Sequence, residues 1–159
     1  MEELLAMEMG AEMPDFQTPW MERGTEMEEE ARNWYVFESG REVEQVGFVM
    51  GDGAGCSPDG LCEDRGIEVK CPKPATHVGY LLKGKLPTTY IPQVQGSMWV
   101  CELDQWDFIS YCPGLPPLLV TVERDAGYIQ SLADRVNWFN EKLADKRAKL
   151  VELGYLEKS

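Results

Sequence analysis

Histidine is nearly absent from this sequence, and none of its five cysteines belongs to a CxxC pair. Structural zinc sites draw on clustered Cys and His, and a disulfide framework uses an even set of cysteines, so neither is expected. No apolar run approaches the roughly 20 residues of a membrane span, and the acidic N-terminus lacks the positive n-region of a signal peptide. The sequence therefore predicts a cytoplasmic protein without a membrane segment. Reduced, mostly buried thiols are expected at Cys56, Cys62, Cys71, Cys101 and Cys112.

Basic residues are also scarce, with 15 Lys and Arg against 28 Asp and Glu and a net charge of −13. Affinity for nucleic acid usually comes from clustered Lys and Arg, so this balance argues against a broad DNA-binding surface. Much of the acidic excess, however, lies before residue 45. The remainder is closer to balance and can hold a local basic groove, and a bound divalent cation would add positive charge. The basic residues of that part include Arg65, Lys70, Lys73, Lys83 and Lys85.

Helical and extended segments alternate along the chain. Hydrophobic residues make up 43% of the 159 positions, which is enough for one compact domain. Periodicity and turn residues predict helices near 19–38, 74–84, 89–102 and after residue 125, and strands near 43–49, 54–58, 66–71, 106–112 and 118–124. Thr18 and Asp125 are the expected N-caps of the first and last of these helices. This order predicts an α/β fold with a mixed central sheet flanked by helices.

The most informative stretch is SPDGL followed by GIEVK, in two β segments that can pair as a hairpin. Alternation along the second segment places Ile67 and Val69 on one face and Glu68 and Lys70 on the other. The apolar pair can enter the core while the charged pair faces a cleft. Asp59, at the end of the first segment, can then approach Glu68.

Two carboxylates with a free backbone carbonyl nearby offer the hard oxygen ligands that Mg²⁺ prefers. Such an ion lowers the pKa of a bound water, so that hydroxide can attack phosphorus near neutral pH. Lys70 would orient that nucleophile and offset phosphate charge. The alternative is structural, because an Asp-Gly turn before a strand with solvent-facing Glu and Lys is common in globular proteins. The residues alone leave both interpretations open.

Three ordered blocks, SPDGLC at 57–62, GIEVKCP at 66–72 and YIPQVQGSMWV at 90–100, resemble the phage lambda-type alkaline exonucleases. These form the YqaJ-like viral recombinase family of the PD-(D/E)xK nuclease superfamily. The similarity extends from RGTEMEEEAR at 23–32 through WDFISY to VERD and Tyr128, about two-thirds of the chain. It implies a restriction-endonuclease-like core within one nuclease domain over 1–159. That domain would comprise an acidic N-terminal segment (1–18), a catalytic core (19–125) and a C-terminal helix (126–159).

The resemblance also implies the site residues. The family's active-site positions fall on Glu28, Asp59, Glu68, Lys70 and Gln93, and the implied metal ligands are Asp59, Glu68, Glu28 and the Val69 carbonyl. Substrate contacts are expected from Ser57, Tyr90 and Lys73. Periodicity does not choose between Glu28 and Glu30, which lie at opposite edges of the apolar helix face, so Glu28 rests on the resemblance.

The implied activity is a Mg²⁺-dependent exonuclease on double-stranded DNA ends, with two ions and with Mn²⁺ as a substitute. By resemblance it resects one strand 5′-to-3′ for a single-strand annealing protein, as a homotrimer, in a phage or prophage context. Family members usually carry an Arg before the catalytic helix that grips the DNA 5′-phosphate, whereas nothing before Arg23 is basic here. Two other functions remain open: a distributive endonuclease or nicking enzyme, and a non-catalytic DNA-binding or interaction module.

Two residue types have simpler structural interpretations. His77 is expected to be structural or exposed rather than catalytic. Trp99, Trp106 and Trp138 are expected in the core or at subunit contacts before they serve as base-stacking platforms.

Overall fold

The computed structural model describes residues 1–11 and 19–157, and for residues 19–25 it describes the backbone alone. The expected N-cap Thr18 and the end of the acidic segment therefore lie outside the described residues. The helices are α1 (Glu2–Glu8), α2 (Pro19–Ser39), α3 (Pro74–Lys83), α4 (Ile91–Cys101) and α5 (Ala126–Glu152), with a 3-10 turn at Thr88–Tyr90. The strands are β1 (Val49–Met50), β2 (Gly55–Cys56), β3 (Gly60–Leu61), β4 (Arg65–Lys70), β5 (Gln105–Ser110) and β6 (Leu118–Glu123).

The central sheet has four strands in the order β3-β4-β5-β6. β4 and β5 are parallel, while the β3-β4 and β5-β6 pairs are antiparallel, so the sheet is mixed. Parallel strands need a crossover connection, and α3 and α4 lie within the one between β4 and β5. The expected α/β fold with a mixed central sheet is therefore confirmed.

Each face of the sheet packs against a different helix. α2 contributes Ala31 and Tyr35 to a cluster with Ile67, Val69 and Ile109 on one face. α4 contributes Val94 and Met98 to a cluster around Trp106, on the other face. The expected alternation along β4 is confirmed, because Ile67 and Val69 enter the α2 cluster while Glu68 bonds to α4. Burial of both faces explains why four consecutive residues of β4 are buried.

The predicted hairpin is wrong in its first strand. Gly60 and Leu61 pair with Ile67 and Gly66, whereas Gly55 and Cys56 pair with β1 in a separate two-stranded sheet. The chain turns between the two sheets at 57–59, which places Asp59 at the start of β3.

The predicted strand near 43–49 is reduced to β1 at Val49–Met50 and a single bridge between Glu44 and Leu61. β3 is only two residues long, so it offers this segment a short edge for pairing. Val43 packs closely over Gly60, where an added Cβ would lie 2.4 Å from Val43 Cγ1.

The other elements agree with the sequence to within a few residues. Asp125 caps α5 as expected, accepting a 2.9 Å hydrogen bond from the Tyr128 amide. Pro92 lies in the first turn of α4, where its missing N–H carries no cost. Within the described part of the chain, no helix combines the length and apolar character needed to cross a membrane.

Candidate active site

The candidate site lies at the edge of β4, next to the residues that directly precede β3. One carboxylate oxygen of Asp59 accepts a 2.7 Å hydrogen bond from the Val69 amide. Pairing with β3 stops at Gly60 opposite Ile67, so Asp59 takes the position that a longer partner strand would hold. In a strand, the N–H and C=O of one residue point to the same edge. The Val69 carbonyl therefore lies on the Asp59 side of β4.

Glu68 and its neighbours form the second half of the site. The Glu68 side chain is only 2% exposed, yet it accepts a 2.7 Å hydrogen bond from Gln93 Nε2 and pairs with the Lys70 ammonium. The Lys70 ammonium also lies 5.3 Å from the centre of the Tyr90 ring. Tyr90 in turn stacks on Phe108 with 5.3 Å between ring centres. The structure thus brings Glu68, Lys70, Tyr90 and Gln93 together on the α4 face.

Burial raises the pKa values of the three carboxyl groups of this site, and the charge of Asp59 adds to the effect at two of them. Burial, and then the charge of Asp59, raise the pKa of Glu68 to about 7. Burial also raises the pKa of Asp59, against the Val69 amide and Lys70, which lower it. The pKa of Glu28 is raised by burial and then by Asp59. The charge of Asp59 disfavours ionisation of both Glu68 and Glu28, so a cation beside Asp59 would favour the charged forms.

The donor set fits a divalent hard cation. Asp59, Glu68 and the Val69 carbonyl are oxygen donors, and Mg²⁺ is commonly held by one or two carboxylates while it keeps waters and binds phosphate. Among the side chains that the structure describes, no three of His, Cys, Asp or Glu converge tightly enough to enclose an ion. Glu28 is within electrostatic range of Asp59, and its role as a ligand stays a prediction.

The remaining predicted substrate contacts lie around this cluster. Ser57 is exposed two residues before Asp59, and it lines a cavity of about 400 Å³ together with Gln93. The rest of that lining is mostly apolar and includes Pro92, Trp99 and Leu132. Lys73 is exposed at the N-cap of α3, three residues beyond Lys70. Their roles toward substrate stay predictions.

Sequence reasoning missed a buried polar contact between α2 and β5. Asp107 on β5 is 3% exposed and accepts a 2.6 Å hydrogen bond from the Tyr35 hydroxyl. A signal was present, because an Asp inside the otherwise apolar run WDFI must find partners if it is buried. Arg32, one turn after Glu28, was also missed, and its charge partly offsets the effect of burial on the pKa values of Asp59 and Glu28.

Some of the residues expected to have structural roles are buried in the fold. His77 is fully buried, with Nδ1 2.7 Å from the Ser110 hydroxyl and Nε2 3.0 Å from the Pro116 carbonyl. Trp106 is buried in the core, whereas Trp138 is 51% exposed. All five cysteines are free thiols, although Cys112 alone among them is fully buried and four are half-buried.

This chain is similar in structure to exonucleases of known structure. The alkaline exonuclease LHK-Exo from Laribacter hongkongensis is 32% identical, with a TM-score of 0.81 over 88% of this chain and 76% of that one. The structure of LHK-Exo in complex with dAMP matches with a TM-score of 0.82 over 89% of this chain and 77% of that one. A phage related exonuclease from Haemophilus somnus 129PT, at 15% identity, shares the fold with a TM-score of 0.70 over 91% and 81%.

The sequence comparisons agree with the structural ones. The Escherichia coli (strain K12) protein ExoD is 34% identical over 74 residues, which are 45% of this chain and 82% of ExoD. Residues 1–104 match the YqaJ-like viral recombinase domain, and this region includes Asp59, Glu68, Lys70 and Gln93. The chain is similar in structure to an alkaline exonuclease. It belongs to the YqaJ-like viral recombinase family.

Proposed function

We propose that this protein is a Mg²⁺-dependent exonuclease that hydrolyses one strand of double-stranded DNA from its ends. The observation that carries the proposal is that Asp59 accepts a hydrogen bond from the Val69 amide, directly next in sequence to the buried Glu68, which pairs with Lys70. The structural interpretation requires a Glu-Lys pair that faces solvent. Glu68 is instead only 2% exposed, and its pKa is raised to about 7. That burial favours the catalytic interpretation over the structural one.

Asp59, Glu68 and the Val69 carbonyl would hold the cation, and Glu28 would complete its surroundings. When bound, the cation supplies Lewis acidity and lowers the pKa of a coordinated water. Mn²⁺ shares the preference for oxygen ligands and is expected to substitute. The two-ion arrangement implied by the resemblance would use Glu28 for the second ion.

Lys70 would contribute a positive charge toward the reacting phosphate. In the structure its ammonium is held between Glu68 and the face of the Tyr90 ring. We infer that Lys70 orients the attacking water and stabilises the charge that develops on the phosphate oxygens. Tyr90 would keep the ammonium in place, because its ring is fixed by stacking on Phe108.

Gln93 is suited to a neutral positioning role. Its amide nitrogen donates to Glu68 Oε1, and a side-chain amide can bond a carboxylate, a water or a phosphate without repelling any of them. Ser57, on the wall of the same cavity, and Lys73 would contact the DNA backbone.

DNA as substrate is supported by the relatives. LHK-Exo has been solved with dAMP, a deoxynucleoside monophosphate of the kind that an exonuclease releases from DNA. We infer 5′-to-3′ resection that supplies single strands to an annealing protein. A net charge of −13 opposes DNA binding by a lone subunit, so a homotrimer that focuses Lys73, Lys83 and Lys85 on a shared channel is proposed.

The test is digestion of linear and covalently closed circular duplex DNA with and without Mg²⁺. We expect linear duplex to be shortened from its ends to mononucleotides, closed circles to survive, and EDTA to abolish the activity. Nicked or linearised circles would instead identify an endonuclease. DNA binding without cleavage of either substrate would identify a non-catalytic module.

A further inference from the structure

The packing of α2 on the sheet is directed by a polar contact. Most of the contact surface is apolar, with Ala31 and Tyr35 against Ile67, Val69 and Ile109. Apolar contact is non-directional and tolerates small slides or rotations of a helix. The 2.6 Å hydrogen bond from the Tyr35 hydroxyl to Asp107 Oδ2 adds a directional constraint.

Asp107 is itself held from three sides. Thr121 Oγ1, on the neighbouring strand β6, donates at 2.6 Å to Oδ1. Arg65 Nη1, on β4, lies 3.3 Å from both carboxylate oxygens. Since β4, β5 and β6 are hydrogen-bonded neighbours, the Asp107 carboxylate is fixed relative to the sheet. The hydrogen bond from the Tyr35 hydroxyl therefore holds α2 at a defined position on the sheet.

Glu28 shares a helix face with Tyr35. The two residues are seven apart, which is nearly two full turns, and Ala31 lies between them on the same face. At about 1.5 Å per residue, Glu28 lies roughly 10 Å along the axis from the Tyr35 anchor. Any rotation or slide of α2 at Tyr35 would therefore displace the Glu28 carboxylate relative to Asp59.

We propose that Tyr35 and Asp107 are positioning residues that set the placement of Glu28 at the candidate metal site. This inference rests on the proposed function. It assigns a role to a buried polar contact that touches neither substrate nor metal. It also gives a reason for an Asp in the middle of a buried strand, where an apolar residue would pack without needing three donors.

The test is a double-variant cycle of Tyr35→Phe and Glu28→Gln. Tyr35→Phe keeps the ring in the core and removes the hydroxyl. We expect kcat to fall by about 10- to 100-fold, since small misplacements of a site carboxylate are costly, with KM for DNA unchanged. Because Tyr35 acts through Glu28, the double variant should be no slower than Glu28→Gln alone.

Thr121→Val is the matched control. It also removes a 2.6 Å donor from Asp107 but leaves the bond to α2 intact. A role confined to stability predicts similar effects of Tyr35→Phe and Thr121→Val, whereas positioning predicts that Thr121→Val stays within about twofold of wild-type kcat. Equal losses in the two variants, or losses that multiply in the double variant, would overturn the proposal.

Titration of the same proteins with Mg²⁺ alone, by calorimetry, separates this inference from the proposed function. Coupling between Tyr35→Phe and Glu28→Gln in the Mg²⁺ dissociation constant would support positioning even if wild type failed to cut DNA. In that case the nuclease proposal would fall and the positioning role would stand. Independent effects on Mg²⁺ affinity would overturn the positioning role itself.

Discussion

The amide of Val69 and the carboxylate of Asp59 are joined by a 2.7 Å hydrogen bond, at the edge where β4 extends past the last residue paired with β3. A side chain thus replaces a strand at the position where the candidate metal ligands meet. The bond occupies one oxygen of Asp59 and leaves the other available. It also orients the Asp59 carboxylate toward the same edge as the Val69 carbonyl.

Asp59→Ala and Glu68→Ala are each expected to lower the cleavage rate by at least about a thousandfold, because each removes one of the proposed charged oxygen ligands. Circular dichroism and thermal melting should show an intact fold in both variants. Asp52→Ala, at an exposed loop carboxylate, is the control and should retain activity. Substantial Mg²⁺-dependent cleavage by either site variant would refute the mechanism.

Lys70→Ala is expected to reduce single-turnover cleavage by roughly 100-fold or more while Mg²⁺ affinity changes less, since the role proposed for the ammonium is toward water and phosphate. Lys70→Gln should not restore the rate, because the role requires positive charge. Lys142→Ala, at an exposed ion pair on α5, serves as the comparison. Loss of metal binding with unchanged cleavage would show that the assigned role is wrong.

Glu68→Gln is expected to stabilise the metal-free protein increasingly as pH rises. The folded pKa of about 7 lies above the ordinary value of 4.5, so the folded state holds the proton more tightly and wild-type stability falls between those pH values. Gln carries no such penalty and can still accept from Gln93. Its advantage over wild type should grow by up to about 3 kcal/mol between pH 5 and pH 8.

Urea unfolding in EDTA at the two pH values measures this difference. Glu63→Gln, at an exposed carboxylate, provides the reference. An advantage that stayed constant, or shrank, toward pH 8 would contradict the raised pKa.

Assembly and salt dependence follow from the charge of the chain. We expect a homotrimer by multi-angle light scattering, with digestion of linear duplex falling steeply between about 50 and 200 mM salt as phosphate contacts are screened. Lys83→Glu should weaken DNA binding without altering Mg²⁺ affinity. A monomer that nicks closed circles would favour the endonuclease alternative.

The features that the sequence predicts correctly are mostly those set by local residue patterns. The period of two along β4 correctly separated Ile67 from Glu68, because a strand's side chains alternate regardless of its surroundings. The strand that pairs beside Asp59 was misassigned, since Cys56 and Leu61 lie in similar short runs and only tertiary pairing decides between them. The Tyr35 bond to Asp107 spans 72 positions, so no local pattern could reveal it.

The short β3 has one more consequence, for self-association. A strand edge with open N–H and C=O groups is a template for pairing with another chain, and Asp59 blocks that edge at Val69 by accepting the hydrogen bond of its amide. Asp59→Ala would therefore lengthen the exposed edge of β4 as well as remove a ligand. Asp59→Asn, whose amide oxygen can still accept from Val69, should remain monodisperse at protein concentrations where the folded Ala variant begins to self-associate through this edge. The residue proposed to bind metal would thus also protect the sheet from edge-to-edge aggregation.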